Sequence, residues 1–214
     1  MLPLPDRDAL APATRQALAD LNAQALQVMI TMLRPGALPR SFALLGEVGD
    51  ALLGLDEAAR RRLAAIPHLL ITLHFDDVEW WRAVRHESPR AVALADRAAR
   101  AARPRLRALA QAMLTLVWHL TRSDPPRAAL LLGLSPAVIE ELRDWTPSEL
   151  QRIADRHALR LQPRWPDRAG VWARWIHAVA SADPALLRQV SIHGLQLLAS
   201  RCGEADEVSR DATH

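Results

Sequence analysis

His68, His74, Asp76 and Asp77 form the densest knot of chemistry-bearing side chains in the sequence. Two imidazoles and two carboxylates in so short a span are the donor types that a hydrolytic metal centre uses. A plainer reading competes: the end of an extended segment, then a helix starting at Val78 with Asp77 as its cap. A similar stretch further on carries Ala158, Arg164, Pro166 and Asp167 at the matching positions, so only the capping aspartate returns. The sequence holds no phosphate-binding glycine loop, no nucleophile elbow and no zinc signature. No catalytic residue, metal ligand or cofactor site is therefore expected, and an enzyme is not the expected class.

The second candidate chemistry is phosphate binding. Arg97, Arg100, Arg103, Arg105 and Arg107 follow one another at helical spacings that place several on one face. Arg164, Arg168 and Arg174 add a second group. Guanidinium groups so arranged suit contacts to a DNA backbone, although a solvated helix junction has the same composition. Arg60-Arg61-Arg62 reads as a solvated face. Seven tryptophans include Trp80, Trp81, Trp172 and Trp175. These four are candidates for a partner interface, because tryptophan favours interface hot spots. Burial in the core is the competing assignment, and Trp172 and Trp175 share one helix face.

The elements that must position these residues are helices joined by short connections. An apolar-periodic stretch runs from about Ala13 to Leu33 and stops at Arg34-Pro35-Gly36. Helices are predicted for Pro39 to Gly46, 49–53, 56–65, 78–85 and 89–102, with a short extended piece at Leu69–Phe75 between them. Further on, Ser135-Pro136 and Thr146-Pro147-Ser148-Glu149 are helix starts, the latter with a capping box. Helices at 136–143 and 147–157 have helix-turn-helix spacing, as any run of short helices does. Leu159 to Trp165 alternates like a strand, and helices follow at 169–179 and 184–200.

The order of these elements repeats. Leu44-Leu45-Gly46 returns as Leu131-Leu132-Gly133, and at the same offset Leu33 answers Leu120, Arg40 answers Arg127 and Leu52 answers Ile139. After a short gap Arg62 answers Arg152, Leu69 answers Leu159, Phe75 answers Trp165 and Asp77 answers Asp167. Two units are too few for a solenoid, which stacks about three or more. The expected architecture is all-α: two similar multi-helix modules, residues 13–102 and 103–202, each with at most one short strand, packed as a pseudo-dimer. Residues 203–214 read as a flexible polar tail.

Composition bounds the setting. Half of the 214 residues are hydrophobic and 24% are charged, which fits a packed core and not a disordered chain. All 27 basic residues are arginine, so the pI of about 10.6 reflects missing lysine and tyrosine more than excess charge; the net charge is only +3. The single Cys202 fits a reducing compartment. With no apolar run of membrane length and no signal peptide, a cytoplasmic location is expected.

In their order and spacing these motifs resemble the FlhD family, the D subunit of the flagellar master transcriptional regulator. Asp20-Leu21-Asn22 with Leu26, Met29 and Leu33 is similar to the family's opening, and Leu73-His74-Phe75-Asp76-Asp77 to its close. The second copy supplies the middle: Ala128, Leu132-Gly133-Leu134, Leu142, Trp145-Thr146-Pro147 and Ile153-Ala154. It closes with Arg164-Trp165-Pro166-Asp167, and carries Arg107-Ala108-Leu109 where Asp-Leu-Asn is expected. The resemblance runs from about Ala17 to Arg201, once per copy. It implies an all-helical fold, intertwined dimers, a role in transcription, and a zinc-containing partner, FlhC, that supplies much of the DNA contact. A tandem chain then looks like a fused dimer acting with a FlhC-like protein on promoter DNA. The alternative is an interaction module that sequesters that partner without binding DNA. Further self-association stays open.

Overall fold

The structure is a computed structural model that describes residues 12–33, 42, 45–87 and 97–211; the side chains of 45, 97–103 and 201–211 lie outside the description. The first copy contributes helices α1 (Pro12–Leu33), α2 (Leu45–Leu53) and α3 (Glu57–Ala64), strand β1 (Ile71–Thr72) and helix α4 (Val78–Arg85). A long helix, α5 (Arg97–Ser123), leads to α6 (Pro125–Leu132), α7 (Pro136–Arg143) and α8 (Pro147–His157). A single 3-10 turn, Ala158–Arg160, then strand β2 (Gln162–Pro163) and helices α9 (Ala169–Ser181) and α10 (Pro184–Asp211) complete the order. The fold is all-α apart from the two short strands. No described helix is long and apolar enough to cross a membrane.

Local chemistry sets the helix ends. Asp56, Asp77, Asp124, Ser135 and Thr146 each accept a backbone N–H from the first turn of the helix they cap. Thr146 and Glu149 close the predicted capping box, with the Glu149 carboxylate taking the Thr146 N–H at 2.7 Å. That bond holds the Glu149 pKa below the usual glutamate value. Gly133 ends α6 in the left-handed region (φ 65°), and Ala182 turns the chain between α9 and α10 with φ 56°.

One continuous apolar core runs from Leu18 in α1 to Leu198 in α10 and draws on both halves. The two halves of the chain meet through a strand pair and through helix contacts on either side of it. β1 and β2 pair antiparallel, with Ile71 opposite Pro163 and Thr72 opposite Gln162. Past this crossing, α4 packs on α7, whereas α9 packs on α2 and α3. Each helix that follows a strand thus sits on the other copy. Arginines hold both ends: Arg62 of α3 donates to the Val179 carbonyl of α9 (2.8 Å), and Arg156 of α8 donates to the Glu87 carbonyl just past α4 (3.2 Å).

Helix α5 runs unbroken through residues 102 and 103, because arginine, alanine and leucine favour helix throughout and Pro104 removes only one donor. Residues 203–211 continue α10 as helix. One expectation is corrected. The strand-turn-helix unit recurs one residue later than the Asp77–Asp167 register: the left-handed residue is His74 (φ 48°) in the first copy and Trp165 (φ 51°) in the second. Arg168, not Asp167, therefore stands at the N-cap of α9, where it makes no side-chain cap bond. The helix predicted from Pro39 to Gly46 lies outside the described residues up to Leu44, apart from Phe42, as does most of the one at 89–102.

Asn22 shows why the copies differ between helix and strand. It is fully buried in α1; Nδ2 donates to the carbonyls of His68 (2.9 Å), Ala64 (3.2 Å) and Ile66 (3.4 Å), and Oδ1 accepts the Leu70 N–H at 2.9 Å. Irregular buried backbone needs such partners. The second copy has buried Leu109 instead, and there α8 runs on to His157 and into the 3-10 turn, so the backbone bonds itself. Asn22→Leu leaves one N–H and three carbonyls short of a partner and is expected to cost about 3 kcal/mol. Urea unfolding checks this, and an unchanged midpoint contradicts it.

Candidate functional site

The crossing of β1 and β2 is a densely bonded polar site in the interior. Arg164 is only 3% exposed; its Nε donates to the Leu69 carbonyl (3.0 Å), and one terminal nitrogen donates to the carbonyls of Ile71 (3.1 Å) and Leu132. A Cβ on Gly133 would come within 2.2 Å of the other terminal nitrogen, so the Leu-Gly motif leaves room for this guanidinium. Backbone bonds complete the weave: Leu69 N–H to Leu131, Ser135 N–H to Phe75 and Arg164 N–H to Leu70. The indole N–H groups of Trp81 and Trp172 donate to the turn carbonyls of His74 and Arg164, both at 2.8 Å.

His68 lies beside this site and is completely buried. Its ring packs on Trp175 at 5.0 Å and edge-on to Trp165 at 5.6 Å. A Cβ on Gly194 of α10 would approach its Nε2 to 2.2 Å, so a glycine is needed there. Burial, reinforced by the Arg164 charge, pushes the His68 pKa down to about 3. The imidazole is neutral in the fold, and it is a packing residue.

The remaining members of the His/Asp knot do not converge with it. His74 stacks on Trp80 at 4.6 Å, and its Nδ1 is 3.8 Å from Asp77, whose carboxylate caps α4 through the Trp80 N–H. Burial lowers the His74 pKa, with Asp77 acting in the opposite direction. Among the described residues no group of three or more histidine, cysteine, aspartate or glutamate side chains could hold a metal ion.

The expected phosphate contacts fare unequally. Arg164 is corrected to a structural residue, since its guanidinium is enclosed by backbone carbonyls. Arg107 is exposed but lies 2.5 Å from Asp155 of α8. Arg105, Arg168 and Arg174 are exposed, the first near the start of α5 and the other two at α9. The side chains of Arg97, Arg100 and Arg103 fall outside the described residues, although all three lie on α5. The helix-turn-helix spacing of α7 and α8 is real, but α4 covers α7 and α8 packs on α5.

Of the tryptophans proposed for an interface, Trp81, Trp172 and Trp175 are fully buried and belong to the core. Trp80 alone is partly exposed, wedged between His74 and His157. What the sequence reading missed is the ionic clasp under α4: Glu141 of α7 lies 3.3 Å from Arg85 and 3.5 Å from Arg82, and accepts the Trp145 indole N–H at 3.1 Å. Arg85 also lies over the Trp145 ring. His157 and Glu87 meet at 2.8 Å beside it. No sequence spacing announces the pairs of Glu141 with Arg82 and Arg85 or of His157 with Glu87, because their partners lie far apart in the chain.

No protein-family model, curated protein or solved structure matches the chain.

The His68 environment has a pH consequence. The unfolded chain takes up the proton near pH 6.5, whereas the folded chain resists it down to about 3. Stability from this group is complete above about pH 6.5 and falls as pH drops toward 3, by up to about 1.4 kcal/mol per pH unit. Thermal unfolding of the wild type and His68→Met between pH 7 and 4 checks this: the wild type should lose stability more steeply, and parallel curves contradict it.

Proposed function

We propose that the chain is a transcriptional regulatory subunit of the FlhD type, two FlhD-like modules fused into one intertwined pseudo-dimer. It acts in the cytoplasm, as a non-enzymatic protein, with a FlhC-like zinc-containing partner on promoter DNA. The observation that carries this reading is the reciprocal seating of α4 on α7 and of α9 on α2 and α3 across the paired strands. An intertwined dimer is what the motif resemblance implies, and exchange of equivalent helices is how one chain reproduces it. Asn22 and Gly133, both motif residues, have structural duties at this crossing, which supports the resemblance at the positions that carry it.

In this reading most DNA contact comes through the partner. Arg105, Arg168 and Arg174 are the exposed candidates among the described residues for added phosphate contacts, with Arg97, Arg100 and Arg103 before Arg105 on α5. A second reading, a partner-sequestering module that does not engage DNA, draws on the burial of Arg164 and the pairing of Arg107 with Asp155. It also draws on Glu149 at the start of α8, where a carboxylate disfavours an approaching phosphate.

Anisotropy with flagellar-type promoter DNA, with and without a FlhC-like subunit, separates the two. The regulatory reading predicts a ternary complex whose affinity falls steeply with salt, with a shallower slope for Arg105→Ala/Arg168→Ala. Loss of the partner's own DNA binding when the chain is added establishes the sequestering module instead. Absence of any partner complex rejects both.

A further inference from the structure

A groove of about 540 Å³ lies along α9 and α10 and is lined by residues of both helices. Its floor is apolar, built from Val171, Ala178, Leu186 and Val190. Ile192 stands beside them at 46% exposure, the one large hydrophobic side chain so exposed among the described residues. Along the same groove lie Arg174 and His177 from α9 and Arg188 and His193 from α10. Among the described residues no carboxylate lines it. Asp183, the one acidic residue between Ala169 and Ser200, sits at the hairpin tip, where its carboxylate accepts the Ala185 N–H at 2.7 Å.

We propose that this groove is a docking site for an acidic amphipathic helix of a partner protein. The proposal stands on the groove alone and does not depend on the regulatory reading above. An open trough between two helices accepts a third helix through an apolar stripe at i, i+3, i+4 and i+7. The cations on both walls then select carboxylates on the flanks of that stripe. A duplex would set phosphates over an apolar floor and leave Ile192 without a partner. A second copy meeting the same face would bring two sets of cations together, since a two-fold interface places like against like.

The test uses the whole chain and a labelled helical peptide of about 18 residues, long enough for five turns, with a leucine stripe flanked by glutamates. A second peptide carries lysine in place of every glutamate. Fluorescence anisotropy is expected to show the glutamate peptide bound about tenfold more tightly than the lysine peptide. Arg174→Glu/Arg188→Glu should reverse that preference, and Ile192→Asp should weaken the glutamate peptide about tenfold. All three positions are exposed, so unchanged circular dichroism accompanies these effects. Equal affinity for the two peptides, indifference to the substitutions, or no binding overturns the proposal. Displacement of bound peptide by an equal concentration of short duplex DNA reassigns the groove to nucleic acid. A dimer that Ile192→Asp converts to monomer reassigns it to self-association.

Discussion

Everything in this fold depends on burying a crossing of irregular backbone. Where β1 meets β2, the segments around Leu69–Ile71 and Leu131–Gly133 pass through the interior with carbonyls that no helix or extended sheet satisfies. Leaving such groups unpaired costs about 1–3 kcal/mol each, a large share of an ordinary domain's stability. Asn22 and Arg164 remove most of that cost, one from each copy: the amide bonds three carbonyls and one N–H, and the guanidinium bonds three carbonyls. Once the crossing is satisfied, the chain leaving each strand is directed onto the opposite copy, and the α4 and α9 contacts follow from that direction.

The two copies solve the same problem with different chemistry. The first keeps an asparagine at the helix position that faces the incoming strand. The second replaces it with Leu109 and lets α8 and a 3-10 turn absorb the backbone bonds. Arg164, the second copy's residue at the turn, then reaches back to the first copy's strand, and Gly133 leaves space for it. The asymmetry extends outward: α4 is clasped by Glu141, Arg82 and Arg85, whereas the longer α9 seats Trp172 and Trp175 in the core and leaves its outer face open. Only one of the two exchanged helices therefore borders the apolar groove with α10.

Helix positions were legible in the sequence because their caps are local: Asp77, Ser135-Pro136 and Thr146 to Glu149 mark starts that the structure reproduces. The exact register of the second turn was not, because Arg168 holds the cap position without a capping side chain and Asp167 imitates the first copy one residue early. The burial of Arg164 was hidden, since an arginine in a polar segment reads as surface until its carbonyl partners, distant in sequence, are known. The groove was partly readable: a run from Ala169 to Ser200 with one carboxylate is unusual for exposed helices, but only the hairpin geometry places Arg174 opposite Arg188 and Ile192.

The packing of α4 on α7 and of α9 on α2 and α3 ties the two halves of the chain to each other. A protease site engineered between residues 88 and 96 cuts the chain between α4 and α5 without removing any described element. Interlocked halves predict that the cut protein elutes as one species in size-exclusion chromatography and unfolds in a single transition. Two separately eluting folded fragments would contradict the account.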